Sequence, residues 1–220
     1  MLPSLIMFDL DGTLIDSAPD LAVAVNAMLA GYGREPLSTA EVRQMIGDGV
    51  AMLVARALAA RDCRAANAAD AERTFMRHYE SAATALTTVF PGAARALQAL
   101  RAGGVALAVC TNKPARIATD ILDRLGLAGY FAQVLGGDSL PFRKPDPRVL
   151  QALLKAFAAG PEGSLLVGDS EVDAATARAA GVPFVLMKHG YRRGPAEAIA
   201  CRAALGTFDE LPALVGVPPL

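Results

Sequence analysis

The amino-acid sequence predicts an α/β fold in which a parallel core sheet carries helices on both of its faces and an all-α cap domain is inserted into that core. Three observations predict this fold. Short apolar runs, typical of strands that are buried on both faces, recur along the chain. Helix-period stretches separate the later runs. Only helical patterns occur between residues 16 and 85.

The first strand is predicted at Leu5–Phe8, an apolar run that is followed by two aspartates and a glycine. Four further runs predict strands at residues 105–110, 134–135, 165–167 and 184–187. Helices are predicted between them, at residues 117–125, 149–157 and 174–180. Strands that alternate with helices form parallel sheets through right-handed crossovers, so the core is expected to be Rossmann-like.

The segment after the first strand interrupts this alternation. Capping-box-like helix starts are predicted at residues 17–20 and 38–41, and apolar residues at helical spacing follow. A helical block placed directly after one strand is most simply an inserted module. We therefore expect residues 1–16 and 85–220 to form the α/β core domain, and residues 17–84 to form the helical cap domain.

Composition and charge exclude several classes of protein. The chain is 53% hydrophobic, too apolar for a disordered chain, and its net charge of −1 offers no global field to attract nucleic acid or an anionic membrane. No apolar stretch approaches the roughly 20 residues of a spanning helix, and the three scattered cysteines fit a reducing compartment. We expect a cytoplasmic protein without nucleic-acid or membrane partners, and either a monomer or a homodimer.

Polar side chains follow four of the predicted strands, where an open parallel sheet binds its ligands. They are Asp9 and Asp11, Thr111 and Asn112, Lys144, and Asp169 with Asp173. Such a group of acids needs a cation, and oxygen ligands suit Mg²⁺. A carboxylate such as Asp9 can attack phosphorus to form an aspartyl phosphate. A second acid two residues further on, Asp11, can protonate the leaving alkoxide and later deprotonate water.

Four motifs stand in order along the chain: FDLDGTLIDS, CTNK, RKPDP and GDSEVDAATARAAG. In these motifs the sequence resembles the haloacid dehalogenase superfamily of phosphatases, and the resemblance spans nearly the whole chain. Within that superfamily, the stretches DSAPDL, VFPG, TNKP and GGDSLPFRKPDP are similar to those of bacterial phosphoglycolate phosphatases. The resemblance implies a mobile cap that closes over the site and expels water.

The resemblance also implies a catalytic role for each matching residue. Asp9 would be the nucleophile, and Asp11 would be the general acid and base. Thr111 and Asn112 would bind the transferring phosphoryl group. Lys144 would neutralise the charge of that group.

The implied Mg²⁺ ligands are the Asp9 carboxylate, the backbone carbonyl of Asp11 and the Asp169 carboxylate. Asp173 would lie in the metal shell or directly behind it. For Asp173 the alternative is a capping box with Ser170, in which the carboxylate only satisfies a helix N-terminus.

Residues 46–49 join two predicted cap helices and align with the family's substrate-specificity loop. Gly47 and Gly49 of this loop would then contact the substrate, and a plain helix–helix turn is the alternative. Lys113 and Arg143 lie beside motif residues, and we interpret both as solvated loop charges.

Asp11 favours phosphate ester cleavage, because dehalogenases and phosphonoacetaldehyde hydrolases of the superfamily lack an acid there. The expected function is Mg²⁺-dependent hydrolysis of a small phosphorylated metabolite, 2-phosphoglycolate, to glycolate and phosphate. The alternatives are a phosphatase of sugar or nucleotide phosphates, a pyrophosphatase, and a β-phosphoglucomutase, whose cap-loop arginine is absent from residues 47–50. A non-catalytic phosphate sensor is the alternative from a different class, and the presence of Asp11 argues against it.

Overall fold

The apolar runs form a parallel sheet in the computed structural model, which describes residues 2–63 and 66–218. The strands are β1 (Leu5–Phe8), β2 (Ile15–Asp16), β3 (Thr88–Val89), β4 (Ala106–Cys110), β5 (Gln133–Leu135), β6 (Ser164–Gly168), β7 (Phe184–Met187) and β8 (Ala203–Leu205). The main sheet has six strands in the order β5-β4-β1-β6-β7-β8. All of its neighbouring strands are parallel, as predicted.

Helices connect these strands and fill the segment between β2 and β3. They are α1 (Ala18–Ala30), α2 (Thr39–Arg43), α3 (Val50–Ala60), α4 (Ala68–Ala82), α5 (Ala93–Ala102), α6 (Ala115–Arg124), α7 (Arg148–Ala156), α8 (Glu171–Ala180) and α9 (Glu210–Leu214). Within the described ranges, no helix has the length and apolar character needed to cross a membrane.

Strand β1 lies at the centre of the sheet, where the strand order reverses. Its partner on one side is β4, and its partner on the other side is β6. The chain extends the sheet outward through β5 on the first side and through β7 and β8 on the second. Ligands of open α/β sheets bind at such a reversal, beyond the carboxyl ends of the strands. This topology brings together the residues that follow β1, β4 and β6.

The sheet is buried on both faces, and alternate residues of β1 face two different apolar clusters. Ile6 and Phe8 belong to one cluster, which also holds residues of α5 and α6. Leu5 and Met7 belong to the other cluster, which holds residues of α7 and α8. All four side chains of β1 are fully buried, as expected for a central parallel strand. The predicted core sheet with helices on both faces is therefore confirmed.

Strand β8 was not predicted from the sequence. It spans only three residues, two of them alanines, and only Leu205 is buried. Its place in the sheet comes from parallel pairing with β7, in which Val185 pairs with Ala203. Pairing with an existing edge does not require a strong local pattern.

Helices α1 to α4 occupy what we call the helical insertion, residues 17–84. The chain enters and leaves it through an antiparallel pair, in which Ile15 of β2 pairs with Val89 of β3. This two-stranded ribbon was also not predicted, because each strand is only two residues long. Buried residues of the insertion such as Val25 and Phe75 lie in the same apolar cluster as Ile6 of the central strand. The insertion therefore packs continuously onto the sheet domain.

The two helix starts predicted in the insertion differ in outcome. At α2, the Ser38 hydroxyl accepts from the backbone N–H of Glu41, and the Glu41 carboxylate accepts from the backbone N–H of Ser38, so that capping box is confirmed. At α1 the helix begins where predicted, with Ser17 at the N-cap position, but the predicted capping box is wrong, because the Ser17 side chain makes no cap hydrogen bond. Its hydroxyl instead donates to Asp11 Oδ1 over 2.5 Å.

Asp20, the other residue of the predicted α1 box, has a long-range role. Its carboxylate accepts from the backbone N–H groups of Leu86 and Thr87, and from the Thr87 hydroxyl over 2.6 Å. Asp20 is buried, so these bonds satisfy a charge that is removed from water. They tie the first helix of the insertion to the chain that returns to the sheet domain.

Candidate active site

Three buried carboxylates meet at the carboxyl ends of β1 and β6. Asp9 follows β1 directly, Asp169 follows β6 directly, and Asp173 lies in the first turn of α8. Each offers a carboxylate oxygen that lies within 4.8 Å of the oxygens of the other two. A hard divalent cation prefers such oxygen ligands, so these residues could hold one.

Lys144 is buried beside two of these acids. Its ammonium Nζ lies 2.8 Å from Asp9 Oδ1 and 2.6 Å from Asp173 Oδ1. Burial alone would lower the pKa of Lys144, but the carboxylates of Asp173 and Asp9 raise it above its usual value. Lys144 therefore stays charged and supplies a fixed positive charge within the acidic cluster.

The acids themselves resist ionisation while no further cation is near. Burial, and then the charges of Asp173 and Asp11, raise the pKa of Asp9 to about 6, although Lys144 opposes the shift. Burial, and then the charges of Asp173 and Asp9, raise the pKa of Asp169 well above its ordinary value. A divalent cation would remove this repulsion, so the donor set fits a metal ion.

The Asp169 carboxylate is held in one orientation. Its Oδ1 accepts from the Thr13 hydroxyl and its Oδ2 accepts from the backbone N–H of Tyr191, each over 2.6 Å. The backbone of Gly190 passes so close that a Cβ there would lie 2.1 Å from the Cβ of Asp169. A larger residue would displace Asp169, so glycine is required by this close approach.

Asp173 belongs both to the cluster and to the start of α8. Its Oδ2 accepts from the Ser170 hydroxyl over 2.6 Å, and the two residues form a complete capping box. Its Oδ1 faces Lys144. The two interpretations of Asp173 are therefore compatible in space, because each uses a different oxygen. Its predicted place in a metal shell stays a prediction.

Asp11 lies at the other side of Asp9 and contacts Lys113. The Lys113 Nζ lies 2.7 Å from both Oδ1 and Oδ2 of Asp11. Our interpretation of Lys113 as a solvated loop charge was wrong, because its side chain is only 4% exposed. The turn after β4 directs this side chain inward to the acid after β1. Arg143 is exposed, as we expected.

Thr111 and Asn112 are buried where β4 ends. The Thr111 hydroxyl accepts from the backbone N–H of Lys113 over 3.2 Å. The Asn112 side-chain amide donates to the backbone carbonyls of Gly47 and Lys144, over 2.9 and 3.0 Å. Asn112 thus connects the insertion, the β4 end and the Lys144 loop. This contact was not predicted, and the phosphoryl-binding roles of both residues stay predictions.

A cavity of about 40 Å³ lies between the sheet domain and the helical insertion. The sheet domain lines it with Asp9, Asp11, Thr111, Asn112, Lys113 and Pro114; the insertion lines it with Leu21, Ile46, Gly47, Gly49, Val50, Leu53 and Tyr79. Gly47 and Gly49 have positive φ angles of 115° and 89°, a conformation that other residues rarely adopt. The loop of residues 46–49 therefore contributes directly to the wall of the cavity.

Sequence reasoning did not assign Tyr79, Ser17 or Gly190 to this site, although all three lie around it. The sequence places Tyr79 with Phe75 and Met76 in an apolar stripe at helical spacing, which predicts only a core position. Its position in the cavity depends on how α4 packs against the sheet domain, and that packing cannot be predicted from a local sequence pattern. For Lys113 a signal existed, because it lies three residues after the end of β4, next to two predicted site residues.

Asp9 and Asp11 follow the central strand β1, and Thr111 follows β4. Lys144 is buried between Asp9 and Asp173. This arrangement defines a phosphoric monoester hydrolase. The comparison with family models also gives a hydrolase. Residues 6–187 match the model described as haloacid dehalogenase-like hydrolase. The chain belongs to this family.

Individual relatives agree with this family. The chain is 48% identical to a phosphoglycolate phosphatase of Cereibacter sphaeroides, with 96% of each chain covered. It is 45% identical to a phosphoglycolate phosphatase of Rhodospirillum rubrum, with 97% of this chain and 90% of the relative covered. Among solved structures, a predicted phosphoglycolate phosphatase from Haemophilus somnus superimposes with a TM-score of 0.92 at 32% identity, covering 96% of this chain and 97% of the other.

Proposed function

We propose that this protein hydrolyses 2-phosphoglycolate to glycolate and phosphate, with Mg²⁺ as its cofactor. The similarity to relatives named for this activity carries the proposal, because 48% identity extends over 96% of both chains. The geometry supports it, since the cavity is small, bordered by the insertion and lined by a buried lysine.

In the proposed mechanism Asp9 is the nucleophile. A carboxylate oxygen of Asp9 attacks phosphorus, and the bond between phosphorus and the glycolate oxygen breaks. Asp11 enters this step protonated and gives its proton to that leaving oxygen. Asp11 then takes a proton from water, whose oxygen attacks the phosphorus and releases the Asp9 carboxylate with inorganic phosphate. Thr111 and Asn112 hold the phosphoryl oxygens during both steps.

The charges around the site support a divalent cation. Four acids (Asp9, Asp11, Asp169 and Asp173) face two lysines (Lys113 and Lys144). When all are ionised, two negative charges stay unbalanced. The carboxylates of Asp9, Asp169 and Asp173 and the backbone carbonyl of Asp11 would hold the ion. When bound, Mg²⁺ would offset the charge of the transferring phosphoryl group.

Lys144 has two tasks in this proposal. Its contacts with Asp9 and Asp173 fix the nucleophile, and its charge neutralises the phosphoryl group. Both tasks require that the ammonium group is desolvated and held in place, which its burial provides.

We also propose a division of the chain into a core domain of residues 1–16 and 85–220 and a cap domain of residues 17–84. The cap would exclude water from the cavity through the loop of residues 46–49. The hydrogen bond from Asn112 to the Gly47 carbonyl supports this role, because it couples the loop to a phosphoryl-binding residue. Gly47 and Gly49 would contact the substrate through their backbone.

A comparison of kcat/KM across a panel of phosphates tests the proposed function. The panel contains 2-phosphoglycolate, glucose phosphates, nucleoside monophosphates and pyrophosphate, each assayed with and without Mg²⁺. We expect 2-phosphoglycolate to give the highest value, and we expect chelation of Mg²⁺ to abolish turnover. An equal or better rate on another substrate would overturn the assignment of the substrate. The absence of metal-dependent hydrolysis of p-nitrophenyl phosphate would overturn the assignment of phosphatase activity.

A further inference from the structure

The cavity has only one positively charged side chain among the described residues that line it, and that is Lys113. Lys144 does not line this cavity but lies against Asp9 and Asp173. The wall that the insertion contributes is mostly apolar and includes Leu21 and Leu53. A negatively charged group in this cavity would therefore find its counter-charge at Lys113.

Lys113 can donate a hydrogen bond to one further group. An ammonium group has three donors, and the two oxygens of Asp11 lie at hydrogen-bond distance from it. The Lys113 ammonium forms an ion pair with the Asp11 carboxylate and lines the cavity. With two donors directed to Asp11, it has one donor left for a ligand.

Tyr79 lies next to Lys113. It comes from α4 of the insertion, is only 2% exposed, and its ring centroid lies 4.9 Å from Lys113 Nζ. Within the described part of the chain, its hydroxyl has no hydrogen-bond partner. An unpaired buried hydroxyl is costly, and one that lines a cavity is a donor prepared for a ligand.

We propose that Lys113 and Tyr79 together bind the carboxylate of the substrate and thereby select 2-phosphoglycolate among small phosphate esters. This inference rests on the proposed function and adds the residues that recognise the leaving group. One residue comes from the sheet domain and the other from the insertion, so the subsite is complete only when both are in contact.

The position of Lys113 relative to the reacting bond supports this assignment. In the proposed mechanism Asp11 protonates the ester oxygen, which requires a hydrogen-bond distance between them of about 2.6–3.2 Å. Lys113 lies 2.7 Å from both oxygens of Asp11. In 2-phosphoglycolate the carboxylate is separated from the ester oxygen by a single methylene group. A carboxylate at that separation is within reach of the ammonium that contacts Asp11.

The experiment compares 2-phosphoglycolate with ethyl phosphate and with 2-phosphoglycolamide, which keep the phosphate but lack the negative charge of the carboxylate. For each variant the ratio of kcat/KM between the acid and each neutral substrate is measured. The variants are Lys113→Met, which removes the charge, and Tyr79→Phe, which removes only the hydroxyl. Their matched controls are Lys155→Met, at an exposed lysine of α7, and Tyr32→Phe, at a tyrosine outside the cavity.

We expect the ratio to fall about 10- to 100-fold in Lys113→Met, because a hydrogen bond between charged groups is lost. We expect a fall of about 3- to 10-fold in Tyr79→Phe and an unchanged ratio in both controls. Equal losses on all three substrates would overturn the inference, because Lys113 would then only position Asp11. An unchanged ratio in both cavity variants would overturn it as well.

If Lys113→Met has no measurable activity, binding replaces turnover as the readout. Calorimetric titrations in the Asp9→Asn background then compare the affinities for 2-phosphoglycolate and ethyl phosphate, with and without Lys113→Met. Loss of the preference for the acid supports the inference, and an intact preference overturns it. Failure of the proposed function can be distinguished from failure of this inference. If the proposed function fails, the unsubstituted protein already shows no preference for 2-phosphoglycolate over the phosphates of the panel.

Discussion

The ammonium Nζ of Lys113 lies 2.7 Å from each carboxylate oxygen of Asp11, and the two side chains are only 4% and 12% exposed. The pair joins the chain after β4 to the chain after β1, 102 residues apart in sequence. A nearly buried ion pair costs free energy to desolvate, and removing one partner leaves the other charge uncompensated.

Lys113→Met is therefore expected to destabilise the fold. The free energy of unfolding should fall by about 2–3 kcal/mol, because the Asp11 carboxylate loses its counter-charge while staying mostly buried. Adding Asp11→Asn to this variant should restore at least half of the loss, since no charge is then left unpaired. Denaturant unfolding measures both values. Lys155→Met is the control without measurable change, and an additive loss in the double variant would contradict the coupling.

Asp9→Asn is expected to abolish turnover while leaving the protein folded. An amide cannot attack phosphorus, so kcat for 2-phosphoglycolate should fall at least about 10⁴-fold. The metal-free variant should melt at a higher temperature than the unsubstituted protein, because it no longer buries an acid whose pKa is raised to about 6. Retention of most of the activity would show that Asp9 is not the nucleophile.

Asp11→Asn should slow the reaction in a way that depends on the leaving group. Loss of a general acid costs about 10²- to 10⁴-fold when the leaving group is a poor one, such as the glycolate alkoxide. With p-nitrophenyl phosphate the loss on the first step should be smaller, because nitrophenolate departs without a proton. Single-turnover kinetics with both substrates measure that step. Equal losses of rate on the two substrates would show that Asp11 is not the proton donor in that step.

Stabilisation by Mg²⁺ should grow as the pH rises. Burial raises the pKa of Asp9 from 3.8 to about 6 and also raises that of Asp169, so the native state holds protons that the unfolded chain has already released. The metal-free fold therefore loses stability as the pH increases between these two values. In the proposed site Mg²⁺ would bind the ionised acids, so its effect on Tm should be larger above pH 6 than below pH 5.

Two substitutions check the origin of this effect. Asp169→Asn should abolish the Mg²⁺-dependent shift in Tm at every pH, because it removes a carboxylate of the cluster. Asp123→Asn, at an exposed position of α6, should leave the shift intact. A shift of the same size on both sides of the pKa of Asp9 would contradict the assignment of the metal to these acids.

Gly190→Ala should weaken the binding of Mg²⁺. The new Cβ would lie 2.1 Å from the Cβ of Asp169, so the backbone or the carboxylate must move. We expect a loss of about 1–3 kcal/mol in stability and a weaker affinity for Mg²⁺, both measurable by thermal melts during a metal titration. Gly160→Ala is the matched control, because no atom lies within 4 Å of its added Cβ. Equal behaviour of the two variants would contradict a packed position for Asp169.

Much of the fold follows from local pattern. The run Leu5–Phe8 was predicted with the bounds that it has, since a central parallel strand is apolar on both faces and ends at polar residues. The chemical identity of the site follows as well, because a parallel sheet brings Asp9, Thr111 and Asp169 together at its carboxyl edge. Strand β8 and the ribbon of β2 with β3 were not predicted, because a segment of two or three residues is too short to show a periodic pattern of apolar residues.

The contacts between distant segments do not follow from local sequence pattern. From residue type alone, Lys113 fits a solvated charge as well as a partner of Asp11. Tyr79 likewise fits an apolar helical stripe as well as a cavity wall, and Asp20 fits a helix cap as well as a long-range hydrogen-bond acceptor. Their partners lie 102 residues away for Lys113 and 66 for Asp20, so no local spacing reports them. Packing of the helical insertion on the sheet buries these groups, and burial obliges each to find a counter-charge, a donor or a ligand. The linear order of residues thus determined which acids could do chemistry here, and the three-dimensional packing decided which lysine and which tyrosine line the cavity beside them.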